Sequence, residues 1–388
     1  MIIFRILEGV MFCCFAVNIL YLLVFSIASL KKCKKLVVKD SVPFRKIAIL
    51  IPAYKEDRVI MECVESCLGQ YYPKEQYDIV VISDQMSTET NERLLMLPVI
   101  LEIAHFENST KVKALNLAMR HLSKYDIVLI LDADNTIGPM YLRQIDSADF
   151  TKSLVAYQTH RVAKNKNTSM AYLDAVSEEI NNSIFRQGHV NLGLSAALIG
   201  SGMVFDFNFL KKELAKINAV GGFDRALELT LFNMKKRIGY LPEVFVLDEK
   251  IQNRKDFARQ RRRWLSAQTH YLMQFLGDIP QALRQRKWDF CDKMFQQMSI
   301  PRLLLLGGTF VLALIVSFFS RTMAFRWWGL FALLLIALAI AIPKELYTWK
   351  LVVAVAKLPE MFLSMFLNLF KLKGANKQFI HTEHGTNP

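Results

Sequence analysis

The chain has 388 residues, enough for one large domain and further segments, and 53% of them are hydrophobic. Its net charge of +14 would suggest a nucleic-acid partner in a soluble protein. Here the basic residues cluster beside apolar stretches, as at residues 31–35 and 284–287, and the sequence has no DNA- or RNA-binding motif. Anionic lipid headgroups therefore explain the charge better than nucleic acid does.

The first apolar stretch predicts a membrane anchor. Residues 9–30 carry no charge and are long enough to cross a bilayer as one helix of about 20 residues. A cleaved signal peptide would have a shorter apolar core, preceded by its positive charge. Arg5 is the only basic residue before this stretch, whereas four lysines follow it within residues 31–35. The positive-inside rule predicts an uncleaved anchor over residues 1–35, with its C-terminal side in the cytoplasm.

Strands and helices alternate in the next region, residues 40–265. The pattern predicts strands at residues 46–51, 79–83, 99–103 and 127–131, and helices at residues 59–68, 91–97 and 112–121. Because the strand runs are apolar on both faces, they predict an α/β fold: a Rossmann-like, mostly parallel sheet with helices on both faces.

Acidic residues follow two of these strands. Asp132 and Asp134 end the strand at residues 127–131, and Asp84 ends the strand at residues 79–83. Ligands bind outside the carboxyl ends of such strands, and oxygen ligands at this spacing suit Mg²⁺ or Mn²⁺. The alternative is that the two aspartates only cap the next helix. Asp84 at the neighbouring strand end favours the metal site.

A series of motifs in this region resembles the family 2 glycosyltransferases with the GT-A fold. The resemblance covers residues 47–265, and its pieces occur in the family's order. They are IPAYKE at residues 51–56, VVISD at 80–84, STKVKALN at 109–116, DAD at 132–134, GSGM at 200–203 and QRRRW at 260–264.

The resemblance implies a nucleotide-sugar donor and a role for each matching residue. Ala53, Tyr54 and Glu56 are implied to border the base and ribose, with Asp84 binding the base edge. Lys113 is implied to lie near the nucleotide or diphosphate. Asp132 is implied to face ribose and phosphate as well as the metal, and Asp134 to hold the metal.

The motif at residues 260–264 is typical of membrane-bound, often processive members of this family. The resemblance implies that Gln260, Arg263 and Trp264 serve the acceptor and the diphosphate. An arginine can offer two parallel hydrogen bonds to a diphosphate, and a tryptophan can stack on a sugar. The alternative is a basic helix lying on lipid, with Trp264 as an interface anchor.

The sequence departs from the family at the general base. Aligned on Leu227-Glu228-Leu229, the position of the base falls on Ala226, which cannot accept a proton. Asp224 and Glu228 are the remaining candidates, and they share one helix face if the helix has begun by Asp224. Asp224 could instead be an N-cap, and a first-turn Glu228 could serve the helix dipole. Of the two, Glu228 is the favoured candidate.

The C-terminal third predicts further membrane contacts. We expect amphipathic interface helices over residues 266–300 and a transmembrane hairpin over residues 301–345, formed by the apolar stretches 303–320 and 327–343. The last apolar stretch, residues 351–372, carries charges near its start, which favours an interfacial or partly re-entrant helix followed by a cytoplasmic tail up to residue 388. The alternative is a fourth span, with the tail outside.

Together these features predict an inverting glycosyltransferase in the plasma membrane, multi-pass, with its catalytic domain in the cytoplasm. It would transfer a sugar from a nucleotide-sugar donor, foremost a UDP-sugar, to a growing polysaccharide or lipid-linked glycan. Expected partners are the donor, the acceptor, membrane lipids and subunits of a glycan synthesis or export system, but no nucleic acid. Two alternatives stay open: a single-sugar transferase acting on a lipid carrier, and a non-catalytic nucleotide-sugar-binding subunit, which only Ala226 supports.

Overall fold

The structure is a computed structural model, and it describes residues 2–32, 38, 43–219, 221–369 and 385. One sheet forms the centre of the described part. Its strands are β1 (Ile47–Tyr54), β2 (Tyr77–Asp84), β3 (Ile100–Ala104), β4 (Ile127–Ile130), β5 (Thr136–Ile137), β6 (Leu154–Ala163), β7 (Met203–Asp206) and β8 (Arg237–Asp248). They are arranged in the order β3-β2-β1-β4-β7-β6-β8-β5.

The pairing of the strands divides this sheet into two parts. Strands β3, β2, β1 and β4 are parallel, as the sequence predicts. Strand β7 then runs antiparallel to both β4 and β6, while β6 and β8 are parallel and β5 is antiparallel to β8. The predicted α/β fold is confirmed, with a mixed rather than parallel second half.

Helices cover both faces of the sheet. Those of the central region are α2 (Ile60–Leu68), α3 (Thr88–Leu95), α4 (Lys111–His121), α5 (Tyr141–Asp146), α6 (Ser169–Asn181), the π-helix Asn182–Gly188, α7 (His189–Asn191), α8 (Phe207–Leu214), α9 (Phe223–Asn233), α10 (Arg254–Phe275), α11 (Ile279–Arg284) and α12 (Trp288–Met298). Alternate residues of β1 pack on opposite sides, with Leu50 facing the core that contains Leu115 of α4 and Ile49 facing the core that contains Val64 of α2. Apolar side chains on both faces of the strands thus fix two hydrophobic layers.

The remaining helices are the long apolar ones, α1 (Ile2–Ser29) and α14 (Arg321–Ala341), together with α13 (Arg302–Ser317), α15 (Trp349–Val355) and α16 (Leu358–Leu369). Among the described residues, two helices are long and apolar enough to cross a membrane: Arg5–Ser29 and α14. The pairs α12–α13 and α15–α16 meet this criterion only as bent units, with bends of 53° and 44°. Two to four membrane-crossing elements are therefore compatible with the structure.

The predicted hairpin differs from the structure at its turn. The gap between its two apolar stretches, residues 321–326, forms the first turns of α14. The hydroxyl of Ser320 accepts a hydrogen bond from the backbone N–H of Met323 and so caps this helix. The exposed side chain of Arg326 lies 3.3 Å from the buried carboxylate of Glu8, and this ion pair joins α14 to α1.

The C-terminal end of α1 is bonded to the central domain through the π-helix. The Gln187 side-chain amide donates to the backbone carbonyl of Ser29 at 2.7 Å, and the Asn191 amide donates to that of Ala28 at 2.9 Å. Gly188 lies against the Phe25 carbonyl, where an added Cβ would come within 2.3 Å. Helix α1 and the domain therefore share one packed interface.

Candidate active site

Three carboxylates meet at the carboxyl edge of the sheet. Asp132 and Asp134 follow β4, and Asp248 is the last residue of β8. Strand β5 brings them together, because it starts just after Asp134 and pairs Thr136 with Leu247. One oxygen from each carboxylate lies within 4.8 Å of the others. A set of three carboxylate oxygens is the donor set that hard divalent cations prefer, so the residues fit a metal ion.

Asp248 was not predicted from the sequence. The sequence holds a signal for it, because the apolar run at residues 244–247 ends in an acid and lies within β8. Burial raises the cost of ionising the Asp248 carboxyl, but Arg161 and Lys250, at 3.3 Å and 2.7 Å, outweigh burial and lower its pKa. Asp248 is therefore held as a carboxylate, the form that binds a cation.

A lysine of α4 reaches the acidic edge, but it is not the predicted one. The ammonium group of Lys111 forms an ion pair with Asp132 and donates to the Gly200 carbonyl at 2.7 Å. Lys113 is exposed, and its ammonium group donates to the Asn108 carbonyl at 2.8 Å. The structure thus places Lys111, rather than Lys113, at the acidic edge.

The loop Gly200-Ser201-Gly202 closes the site beside Asp132. Gly202 has a φ of +60°, and a Cβ there would lie 2.5 Å from the Thr159 hydroxyl oxygen and 2.7 Å from a Val246 methyl group. Only glycine fits this position without displacing its neighbours. The Gln158 side chain fixes the loop, donating to the Ser201 carbonyl at 2.8 Å.

Asp84 lies at the end of β2, directly beside Tyr54 in the register of β1 and β2. It is only 3% exposed, and its Oδ1 has no hydrogen-bond partner within the described part of the chain. Burial raises the pKa of this carboxyl. A buried acceptor atom without a donor costs free energy, so Asp84 is suited to accept a hydrogen bond from a ligand.

The other residues predicted for the donor lie at the end of β1 and on the loop that follows it. Ala53 is buried, the Tyr54 hydroxyl lies 3.4 Å from the Gln85 side-chain oxygen, and Glu56 is partly exposed. Lys55 and Gln85, which follow the ends of β1 and β2, both have a φ of 57°. Non-glycine residues rarely adopt this conformation, and such strain is found mainly at functional sites.

Helix α10 carries the Gln260, Arg263 and Trp264 motif. Burial lowers the pKa of Arg263, while the nearby carboxylates of Asp132 and Asp224 act in the opposite direction. Arg263 therefore lies close enough to interact with both the acidic edge and the start of α9. The Gln260 Oε1 atom is buried and accepts no hydrogen bond from the described residues.

Arg261, which belongs to the same helix, faces the domain rather than a lipid surface. Its guanidinium carbon lies 4.2 Å from the centre of the Trp264 ring, and its Nη2 lies 2.7 Å from Asp174 of α6. One face of Trp264 is thus covered by an arginine. These contacts favour a site role for the motif over a basic helix on lipid.

The two candidate bases have different surroundings. Glu228 is fully buried, 2.7 Å from the Lys293 ammonium group, and accepts the Leu198 backbone N–H at 2.8 Å. Burial raises its pKa, against the attraction of Lys293. A carboxylate occupied in this way cannot meet an acceptor hydroxyl, so the preference for Glu228 is corrected on this physical ground.

Asp224 is the second residue of α9 and is partly exposed. The N-cap of that helix is Gly222, in the left-handed conformation at φ 65°, and no side chain caps the helix. Asp224 is therefore not the cap that the sequence alternative proposed. Its carboxylate forms no hydrogen bond or ion pair with the described residues, and it lies near enough to Arg263 to affect its pKa.

This chain resembles known proteins in sequence and in fold. Residues 43–267 match the family model described as "Glycosyltransferase like family 2". The "Probable glycosyltransferase YdaM" of Bacillus subtilis is 22% identical over 250 residues, which are 62% of this chain and 59% of that protein. The poly(ribitol-phosphate) beta-glucosyltransferase of Bacillus spizizenii is 29% identical over 97 residues, 24% of this chain and 15% of that protein. The chain thus spans less than two thirds of either relative.

Among solved structures, the mannosyltransferase PcManGT of Pyrobaculum calidifontis, in complex with GDP-Man and Mn²⁺, is similar with a TM-score of 0.59. The match covers 94% of this chain and 98% of that one at 16% identity. At this identity the likeness shows a shared fold.

Proposed function

Because this chain belongs to glycosyltransferase family 2, we propose that it transfers a sugar from a nucleotide-sugar donor to a growing polysaccharide or lipid-linked glycan. The observation that carries the proposal is the arrangement at one sheet edge. Three carboxylates, Asp132, Asp134 and Asp248, meet there, and electrostatic contact through Arg263 links them to Asp224. Cation ligands, a basic group and a carboxylate that forms no hydrogen bond or ion pair with the described residues are the parts that sugar transfer from a diphosphate requires.

We propose one orientation for the donor at this edge. Its base would lie over Ala53 and Tyr54, where Asp84 offers its unsatisfied oxygen to an N–H of the base edge. The diphosphate would then extend toward Asp132 and Asp134. The N–H between the two carbonyl groups of uracil can donate to such a carboxylate, so the site is compatible with a UDP-sugar.

The metal in this proposal is Mg²⁺ or Mn²⁺, held by Asp132, Asp134 and Asp248. When bound, such an ion stabilises negative charge on the oxygens of the diphosphate leaving group. Lys111 and Arg263 carry positive charge on the same side and would add to this stabilisation.

The acceptor hydroxyl would be activated by Asp224. Its carboxylate takes the proton as the acceptor oxygen forms a bond to the anomeric carbon, and the bond from that carbon to the diphosphate breaks. Attack from the face opposite the leaving group gives inversion at the anomeric carbon. Gln260 and Trp264 would hold the acceptor, Gln260 through its unsatisfied Oε1 and Trp264 through the ring face that Arg261 leaves open.

We place this domain on the cytoplasmic face of the plasma membrane, because lysines follow α1. In a cysteine-free background, a cysteine at exposed Glu89 in α3 should resist an impermeant thiol reagent added to intact cells. A cysteine at exposed Thr322, in the first turn of α14, should react. Labelling at position 89 but not at 322 would reverse the orientation.

The reaction itself is tested with membranes that contain the full chain and a panel of radiolabelled donors. UDP-glucose, UDP-N-acetylglucosamine and GDP-mannose cover the two nucleotide classes, and the size of the product separates the acceptors. A long product supports a polysaccharide synthase, whereas a single added sugar on extractable lipid supports a lipid-carrier transferase. UDP binding without turnover of any donor would leave only a non-catalytic subunit.

A further inference from the structure

One buried amide contacts all three carboxylate-bearing residues of the site. The Nδ2 atom of Asn135 donates to Oδ1 of Asp134 at 3.2 Å and to Oδ1 of Asp248 at 3.3 Å. Its Oδ1 accepts the backbone N–H of Asp132 at 3.1 Å and the hydroxyl of Ser201. Asn135 is completely buried, so these bonds use both ends of the amide.

The other groups around the site each serve one carboxylate. Lys111 contacts Asp132, and the backbone N–H of Glu249 donates to Asp134 at 3.2 Å. Arg161 and Lys250 contact Asp248. Within the described chain, Asn135 is the side chain that bonds to Asp134 and Asp248 together. Because these two acids come from different strands, the amide fixes their distance from each other.

Three like charges within 4.8 Å of one another repel, and side chains that repel turn apart unless something holds them. Two amide N–H groups aimed at two of the carboxylates reduce that repulsion and set the direction of their lone pairs. The order of donor and acceptor matters, because the oxygen end must face the Asp132 N–H. Neither an apolar side chain nor a carboxylate of similar shape reproduces this arrangement.

We propose that Asn135 is a positioning residue, which holds Asp132, Asp134 and Asp248 in the geometry that binds a divalent cation. This inference rests on the metal site of the proposed function. Groups that orient metal ligands typically contribute about 10–100-fold to metal affinity.

The first test uses Asn135→Leu in the full-length protein in detergent. Mn²⁺ is titrated with UDP present, and free Mn²⁺ is followed by its electron paramagnetic resonance signal. We expect about 10–100-fold weaker Mn²⁺ binding, and recovery of UDP binding at saturating Mn²⁺. A variant that had lost only its packing would not regain UDP binding at saturating Mn²⁺. Asn167→Leu is the matched control, since Asn167 is exposed and bonds to Gln252 away from the carboxylates.

The second test uses Asn135→Asp, which we expect to respond more strongly to Mn²⁺, the opposite of Asn135→Leu. A fourth carboxylate replaces the donating amide, so the metal-free protein should unfold at a lower temperature, while added Mn²⁺ should raise the midpoint by more than in the unmodified protein. If Asn135→Leu does not fold, the Asn135→Asp variant alone tests the proposal. Unchanged Mn²⁺ affinity in both variants would overturn the role of Asn135. An unmodified protein that binds no Mn²⁺ with UDP would instead overturn the metal site itself.

Discussion

Replacing Asp134 with alanine is expected to abolish sugar transfer and metal-dependent UDP binding while the protein stays folded. Asp134 is 5% exposed, belongs to the three-carboxylate set and comes directly before the strand that pairs with β8. Loss of a group that only orients a metal ligand costs about 10–100-fold in metal affinity, so loss of a ligand should cost more. The expected fall in Mn²⁺ affinity is therefore at least about 100-fold.

Calorimetric titration of UDP with and without Mn²⁺ measures this effect. In the unmodified protein Mn²⁺ should strengthen UDP binding, and in Asp134→Ala it should not. Glu107→Ala is a suitable control, because Glu107 is an exposed acid that follows the end of β3 and lies outside the carboxylate set. Metal-dependent UDP binding that survives in Asp134→Ala would show that Asp134 is not a ligand.

Asp224→Asn is expected to lower the rate of transfer by about 10²–10⁴-fold, the usual contribution of a general base. UDP binding should stay unchanged, because Asp224 lies on the acceptor side of the proposed site. The stability should change little: Gly222 occupies the N-cap, and a first-turn charge contributes only about 0.3–1 kcal/mol through the helix dipole. Single-turnover kinetics with saturating donor and thermal unfolding measure the two quantities.

Glu228→Gln is the matched comparison, and it should show a different defect. Glutamine still accepts the Leu198 N–H but leaves the Lys293 charge buried without its partner. Breaking a buried ion pair in this way costs about 3–5 kcal/mol, so the variant should unfold at a lower temperature while its folded fraction stays active. Full turnover in Asp224→Asn, or a loss of rate in folded Glu228→Gln, would contradict the assignment of the base.

Part of the acidic edge could be predicted because the sequence marks where two of the strands end. The runs that end at Asp84 and Asp132 are apolar on both faces, so each strand end is visible as an abrupt change to polar residues. Asp248 also follows an apolar run, at residues 244–247, but β8 pairs at its end with β5, a strand of only two residues that carries little sequence signal. The contact between Asp134 and Asp248 depends on that pairing and not on local sequence.

Two of the sequence expectations differ from the structure for reasons that local sequence does not hold. The predicted helix at residues 112–121 leaves out Lys111, which α4 includes. Residues two apart on a helix point in different directions, and the rotation of α4 is set by its packing. The cap at Thr110 and the contact with Gly200 place Lys111 inward. The burial of Glu228 depends on Lys293 of α12, which joins it only after the chain has folded.

The bonds from the π-helix and α7 to the end of α1 decide whether α1 is an interchangeable part. A helix that only tethers a domain could be replaced by any apolar segment of equal length. Here Gln187 and Asn191 bond to the carbonyls of Ser29 and Ala28, and Gly188 leaves room for the backbone at Phe25. A foreign helix would have to end at the same height and rotation to satisfy these groups. The end of α1 is thus completed by residues more than 150 positions later in the chain, and α1 packs as part of the domain rather than beside it.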